Sequence, residues 1–264
     1  GDWSSDVCSS DLILEAIGLG ALQGVTEFLP VSSSGHLVIG QHLLGITLPG
    51  NAFEIWVHLG TLLSIVFVFN KEIINMLTSI GNPETRKYIG ILITGTIPAV
   101  FVGFGFKETI SEFFDSVHIV SLGLMITASV LFLTGMIRKR SVQITLLSGL
   151  VIGMAQALAI VPGISRSGTT IAMALVLGAS SKEAAKFSFF LAIPVIAGAG
   201  LFTAMDTVQN QVISLDSSII FAGLLTSFLV GWVSLKWLLA ILQKGKFHWF
   251  GMYCFIVGLI LAFS

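Results

Sequence analysis

Long runs without a charged residue dominate the sequence and restrict the folds that are open to it. Six of these runs cover residues 55–70, 88–106, 116–137, 187–205, 217–235 and 247–264. Most of them match the roughly 17–25 residues that a helix needs to cross the core of a bilayer. Only 10% of the chain is charged, whereas a soluble domain carries about 25% charged residues. The sequence therefore predicts an all-α polytopic membrane protein with six transmembrane helices, and argues against an unusually apolar soluble protein.

Two short polar segments interrupt two further apolar regions, 12–44 and 143–178. The first segment runs from Gln23 to His36, and the second runs from Gln156 to Thr170. Five residues of the first segment and its approach recur 133 positions later, so that Gly20, Gln23, Ser32, Ser34 and Gly35 correspond to Gly153, Gln156, Ser165, Ser167 and Gly168. We interpret the chain as two repeats, about 12–106 and 143–240, that build one site together. The alternative is a chance likeness between two turns that are rich in serine and glycine.

The distribution of basic residues predicts the topology. Basic residues gather in the loops on one side, as Lys71, Arg86, Lys87, Arg138, Lys139, Arg140, Lys182, Lys186, Lys244 and Lys246, and Lys107 is the only one in the loops on the other side. The positive-inside rule places the clusters in the cytoplasm and both termini outside. This arrangement requires that 12–44 and 143–178 form re-entrant helix pairs. The halves would then be an inverted repeat, a recurring plan of transporters.

The remaining composition sets simple limits. The net charge of −1 gives no indication of a nucleic-acid partner. Residues 1–11 are polar and fit neither a signal peptide nor a membrane span. We expect them to be a non-native leader, similar to translated sequencing-adapter sequence, and we expect 12–264 to be a single integral membrane domain.

The two breaks predict an anion site. Pro30 and Pro162 each interrupt a helix, and the serines that follow are good residues for starting the next helix. Two helix N-termini that face each other would bind an anion, of which phosphate is the obvious one. The candidate phosphate-binding residues are Ser32, Ser34, Ser165, Arg166, Ser167 and Thr170. The alternative role for each serine is to cap a helix and nothing more.

Charged residues inside apolar sequence are the strongest functional candidates. Arg166 is costly in a membrane, and its planar guanidinium suits two phosphate oxygens. Gln23 and Glu27 are four residues apart and share one face of a helix, where they could bind a divalent cation such as Mg²⁺. The alternative for Arg166 is a structural ion pair with Glu27. The roles of Glu54 and His58, at the start of the first span, remain open.

A nucleophile and a base can also be suggested. Ser33 is the nucleophile candidate because it lies in a hydroxyl cluster beside both a carboxylate and a histidine. Glu27 or His36 would act as the base. Direct attack by a metal-activated water is the alternative. The catalytic candidates are therefore Glu27, Ser33, His36 and Arg166.

At these residues the sequence resembles a known family. The runs QGVTEFLPVSSSGH and PGISRSGTT are similar to the two signature regions of bacterial undecaprenyl-diphosphate phosphatase, which is also called the bacitracin-resistance protein. The likeness covers about residues 12–264, and the two motifs together are highly specific. Gln23 and Glu27 match the first motif in its glutamine form, and Pro162 to Gly168 match the second.

The resemblance implies an integral membrane hydrolase that converts undecaprenyl diphosphate to undecaprenyl phosphate, the lipid carrier for cell-wall precursors. It also implies a need for Mg²⁺ or Ca²⁺, and a site in the bacterial inner membrane that opens to the periplasmic face. A polyprenyl-phosphate flippase is the alternative. A phosphatase of the phosphatidic-acid type lacks its distal motif here, and a purely structural protein would have no use for Arg166 and Glu27. The oligomeric state stays open, with a homodimer as one option.

Overall fold

Every secondary-structure element is a helix over the residues that the structure, a computed structural model, describes. These are residues 3–44, 52–114, 116–137, 140–210 and 216–263. In chain order the helices are α1 (Trp3–Phe28), α2 (Ser33–Leu44), α3 (Ala52–Val68), α4 (Asn70–Thr78), α5 (Pro83–Gly105), α6 (Lys107–Phe114), α7 (Val117–Thr134), α8 (Leu146–Leu158), α9 (Arg166–Val176), α10 (Ser181–Asn210), α11 (Ser217–Gln243) and α12 (Trp249–Ala262). The predicted all-α class is confirmed. Helix α1 begins at Trp3 and so includes most of the segment 1–11 that the sequence set apart.

Four of the predicted spans coincide with helices that are long and apolar enough to cross a membrane. Within the described residues these helices are Pro83–Gly105, Val117–Thr134, Ser181–Leu201 and Ser217–Gln243. Helices α3 and α4 make a fifth span only if they are counted together, because the chain bends by 73° between them. Helix α12 is apolar, but it has only 14 residues. A polytopic membrane protein is therefore supported, and the number of six spans stays a prediction.

Each polar segment forms a break between two helices, as the prolines predict. Helix α1 ends at Phe28 and α2 begins at Ser33, while α8 ends at Leu158 and α9 begins at Arg166. The two breaks start the next helix in the same way. The Ser32 hydroxyl accepts the backbone N–H of Gly35 at 3.3 Å, and the Ser165 hydroxyl accepts that of Gly168 at 3.1 Å.

The helices of the two halves pack against each other reciprocally. Helix α1 lies against α11, α8 lies against α5, and α3 contacts α10. Helices α7 and α12, which lie outside the two halves, pack against each other. Glycines permit the close approach. A Cβ atom added to Gly20 would lie 2.7 Å from the carbonyl oxygen of Gly223, and one added to Gly153 would lie 2.1 Å from that of Gly95. Each broken helix pair is thus held by a long helix from the other half.

The loops predicted to be cytoplasmic lie close together at one end of the bundle. Lys186 Nζ lies 5.0 Å from the centre of the Tyr88 ring. A cavity of about 390 Å³ is lined by Lys87, Lys186 and residues 141–144, among others. At the same end, the backbone N–H of Val142 donates to the carbonyl oxygen of Gly178 at 2.9 Å. The segment before α8 therefore touches the segment after α9.

Candidate active site

The two helix breaks touch each other directly. Ser32 adopts a φ of 71°, which is unusual for a residue other than glycine. In this conformation its hydroxyl accepts the backbone N–H of Gly163 from the second break, at 3.1 Å. Thr127 on α7 braces the same place, because its hydroxyl donates to the Gly163 carbonyl and accepts the Ser165 N–H, both at 2.9 Å. Residues 131 positions apart are thereby fixed side by side.

Replacing Gly163 by alanine is expected to destabilise the protein by disturbing this junction. Gly163 has a φ of +90°, and a Cβ atom there would lie 2.2 Å from the carbonyl oxygen of Val120. The backbone conformation alone costs an ordinary residue about 1–3 kcal/mol. Gly90→Ala is the matched control, since a Cβ atom at Gly90 meets nothing within 4 Å. Thermal unfolding in detergent should show a lower Tm for Gly163→Ala only; equal Tm values would contradict this account.

Glu27 is the centre of the polar contacts at the junction. Its carboxylate accepts hydrogen bonds from Gln23 Nε2 at 3.0 Å and from the Ser33 hydroxyl at 2.6 Å. Arg166 donates to the other carboxylate oxygen through Nη2. His58 Nε2 lies 3.7 Å from the oxygen that Ser33 contacts. Side chains from α1, α2, α3 and α9 therefore meet at one carboxylate.

The carboxylate of the Glu27–Arg166 ion pair is buried, so its charge depends on the arginine. Glu27 is 6% exposed, and a buried charge requires a partner of opposite charge. The structural ion pair considered from the sequence is thus present. It does not use the whole guanidinium, however, because Arg166 Nη1 is buried without a hydrogen-bond partner among the described residues. One edge of the guanidinium holds Glu27, and Nη1 has a donor capacity that the described protein does not fill.

A cavity of about 480 Å³ lies beside this cluster. A volume of about 300–1,000 Å³ is typical of small-molecule sites. Its polar lining consists of Glu27, Ser32, Ser33, Ser34, Glu54, His58, Lys107, Ser111, Gln156, Ser165 and Arg166. The rest of the wall is apolar and comes mainly from α5, α6, α10 and the second break. The cavity combines a polar end, suited to an anionic group, with walls suited to a hydrocarbon chain.

Not every candidate phosphate ligand faces this cavity. Ser32, Ser34, Ser165 and Arg166 line it. Ser167 and Thr170 are absent from its described lining and have other contacts. The Ser167 hydroxyl donates to the Leu29 carbonyl at 3.4 Å, and the Thr170 hydroxyl pairs with that of Ser188 on α10 at 2.6 Å. Ser167 thus connects α9 to the first helix break, and Thr170 connects α9 to α10. The role of both residues in phosphate binding stays a prediction.

His36 also points elsewhere. Its Nδ1 lies 2.8 Å from the carbonyl oxygen of Ser32, and its Nε2 lies 2.7 Å from the hydroxyl of Tyr253 on α12. His36 is not among the described residues that line the cavity. With both ring nitrogens engaged, its observed contact with the site is through the backbone of Ser32. Its role as the base stays a prediction.

Five polar residues that line the cavity had no assigned catalytic or binding role from the sequence: Glu54, His58, Lys107, Ser111 and Gln156. Glu54 and His58 were visible as a pair one helical turn apart, without anything to show which way they face. Gln156 was visible only as the repeat of Gln23. The packing of α3 against α10 and of α8 against α9 brings Glu54, His58 and Gln156 to the cavity. Such long-range contacts leave no local signal in a single sequence.

The donor set at the junction can be compared with the needs of a divalent cation. Among the described residues, no three His, Cys, Asp or Glu side chains form a metal-binding group. Mg²⁺ does not require such a group, because it is commonly bound by one or two carboxylates together with substrate phosphates. Glu27 supplies a carboxylate at the cavity. Gln23 Oε1 is a buried oxygen without a partner in the described structure, but Gln23 is not among the described residues that line the cavity. The Glu27 carboxylate suits a cation that is shared with a phosphate group, and the role of Gln23 as a ligand stays a prediction.

Comparison with known proteins identifies the family of this chain. A sequence model described as "Bacitracin resistance protein BacA" matches residues 16–260. The chain belongs to the BacA family. The match includes both helix breaks and every residue of the Glu27 cluster.

Relatives of this BacA chain carry consistent names. A protein named undecaprenyl-diphosphatase from Desulfosudis oleivorans is 41% identical over 267 residues, which cover 93% of this chain and 96% of the relative. One of the same name from Korarchaeum cryptofilum is 37% identical and covers 94% and 98%. A Bacillus thuringiensis relative, undecaprenyl-diphosphatase 2, is also 37% identical, with 94% and 96% covered. These names describe a phosphatase and do not favour the flippase alternative.

Proposed function

We propose that this protein hydrolyses undecaprenyl diphosphate to undecaprenyl phosphate and inorganic phosphate. One observation carries the proposal: in a chain of the BacA family, Glu27, Ser33 and Arg166 from both helix breaks meet at one cavity. The lipid chain lies along the apolar wall, and the diphosphate group reaches the polar end. The activity recycles a lipid carrier for cell-wall synthesis and accounts for bacitracin resistance.

The diphosphate is held by charge and by helix N-termini. Arg166 Nη1 is a buried donor without a protein partner in the described structure, and it is suited to a phosphate oxygen. Helices α2 and α9 both begin at the cavity, at Ser33 and Arg166. The positive ends of their dipoles add to the attraction for an anion. Donors fixed in advance around developing charge usually make the largest contribution to catalysis.

Ser33 attacks the terminal phosphorus, and Glu27 takes its proton. The hydroxyl is already hydrogen-bonded to the Glu27 carboxylate at 2.6 Å. A bond forms between Ser33 Oγ and phosphorus, and the bond from phosphorus to the bridging oxygen breaks. Undecaprenyl phosphate leaves, and water then hydrolyses the phosphoserine. In the alternative route, water attacks directly and Glu27 takes its proton; the short Ser33–Glu27 contact favours the serine.

Gln23 and Glu27 would hold a Mg²⁺ or Ca²⁺ ion together with the substrate phosphates. Such an ion supplies positive charge to the phosphate oxygens and to the leaving group. Oxygen atoms of this kind are the preferred ligands of both ions. Gln23 binds Glu27 through its amide nitrogen, so it also fixes the orientation of the carboxylate.

Each broken helix pair is re-entrant in this proposal, and the two halves are an inverted repeat among six spans. The contact between Val142 and Gly178 supports re-entry of the second pair, and the reciprocal packing of α1 on α11 and α8 on α5 supports the inversion. The active cavity contains Lys107, whereas Lys87 and Lys186 line a separate cavity. This division supports an active site that opens to the periplasmic face of the inner membrane.

Phosphate release tests the function directly. Protein purified in detergent is expected to release inorganic phosphate from C55 undecaprenyl diphosphate. EDTA is expected to lower the rate at least ten-fold, and added Mg²⁺ or Ca²⁺ to restore it. Absence of phosphate release by folded protein with either cation would refute the proposed activity. Full activity in EDTA would refute the cation alone.

A further inference from the structure

Gln156 on α8 is a buried side chain whose polar atoms have no partner. It is 2% exposed, and both its Oε1 and its Nε2 lack a hydrogen-bond partner among the described residues. Leaving a buried amide unpaired is costly, so such groups normally indicate a ligand, a water or a functional role. Gln156 also lines the cavity that contains Glu27 and Arg166. Its free donor and acceptor are therefore next to the place where the substrate binds.

Comparison of the two repeats shows what the glutamine lacks. In the first repeat, Gln23 donates to Glu27 at 3.0 Å. At the spacing of 133 positions that relates the halves, Glu27 corresponds to Ile160, and Ser33 corresponds to Arg166. The second repeat has thus kept the amide donor and lost the anionic acceptor. Ile160 lines the cavity as well, so no carboxylate takes up the Gln156 donor.

Building on the function proposed above, we propose that Gln156 binds an oxygen of the diphosphate group. The substrate anion then takes the part in the second repeat that the Glu27 carboxylate takes in the first. Arg166 Nη1, the other buried donor at the cavity without a described partner, binds the same group. The first repeat supplies the base and the nucleophile, whereas the second supplies the donors that hold the anion.

Two substitutions separate this role from a structural one. Gln156→Leu removes the donor, and we expect it to lower kcat/KM by about ten- to a hundred-fold, the usual effect of losing a hydrogen bond to a charged group. It should not lower the Tm of the free protein, because it removes two buried polar atoms that have no partner. Gln156→Glu keeps the shape and adds a negative charge, and we expect a larger loss of activity.

Inorganic pyrophosphate is a suitable binding probe that needs no turnover. It is expected to raise the Tm of the wild type in detergent and to have less effect on Gln156→Leu. Gln143→Leu is the matched control, since Gln143 is exposed at the other end of the bundle. That variant should keep both the wild-type kcat/KM and the wild-type response to pyrophosphate.

The possible results distinguish the explanations. A Gln156→Leu protein with a lower Tm and an unchanged kcat/KM would show a structural glutamine and overturn the inference. A Gln156→Glu protein with retained or improved activity would show that the side-chain oxygen binds a cation, which also overturns it. These results require an active wild type; if the wild type releases no phosphate, it is the proposed function that fails.

Discussion

Replacing Arg166 by alanine is expected to lower phosphate release by about 10³–10⁵-fold, the effect of a transition-state arginine in other phosphoryl-transfer enzymes. The substitution removes Nη1, the buried donor that the described protein leaves without a partner. It also removes the ion pair that fixes Glu27. Both the binding of the anion and the placement of the base therefore suffer. The measurement is kcat/KM for C55 undecaprenyl diphosphate in detergent.

A second variant separates loss of function from loss of fold. Breaking a buried ion pair by removing one partner costs about 3–5 kcal/mol, so Arg166→Ala is also expected to lower the Tm. Arg166→Lys keeps a positive charge for Glu27 but has no second terminal nitrogen. It should remain folded and still lose at least about ten-fold in kcat/KM, since lysine cannot form a forked contact. Arg140→Lys, at an exposed arginine, is the control; wild-type activity in Arg166→Lys would remove the phosphate role of Nη1.

Local signals in the sequence were sufficient to predict the helix breaks and the pair at their centre. The starts of α2 and α9 can be predicted from the proline and the serine that come shortly before each helix. A carboxylate and a guanidinium in apolar sequence have few ways to avoid an unpaired buried charge. The contact between Glu27 and Arg166, 139 positions apart, follows from that physical requirement once the two breaks meet.

Other parts of the site depend on packing that a single sequence does not reveal. His58 reaches Glu27 only because α3 lies against α1, and His36 turns toward Tyr253 because α2 lies against α7, which α12 covers. The number of membrane spans was also difficult to predict from the sequence. The run 55–70 is apolar throughout, yet the chain bends at its end between α3 and α4. Hydropathy measures polarity and does not register such a bend.

In the proposed mechanism, the different residues at equivalent positions of the two halves explain why one site needs both halves. Ser33 and Arg166 occupy equivalent positions at the first turn of α2 and α9, and both donate to the same carboxylate. Only one of them has a hydroxyl for attack, and only one has a charge for the phosphate. Two serines at these positions would lack the positively charged guanidinium, and two arginines would lack the nucleophile. In the proposed mechanism, the difference between serine and arginine at this one position supplies both the nucleophile and the positive charge.

Replacing Ser33 by alanine is expected to reduce turnover on the order of 10⁴-fold or more, as loss of a nucleophile does in other enzymes. The fold should survive, because Glu27 keeps its contacts with Gln23 and Arg166. Acid quenching of wild-type protein during turnover should trap phosphoserine at residue 33, detected by mass spectrometry. Ser129→Ala, at an exposed serine on α7, should behave as the wild type. If Ser33→Ala turns over at a near-normal rate, water is the nucleophile, and Glu27 then acts on water rather than on a hydroxyl.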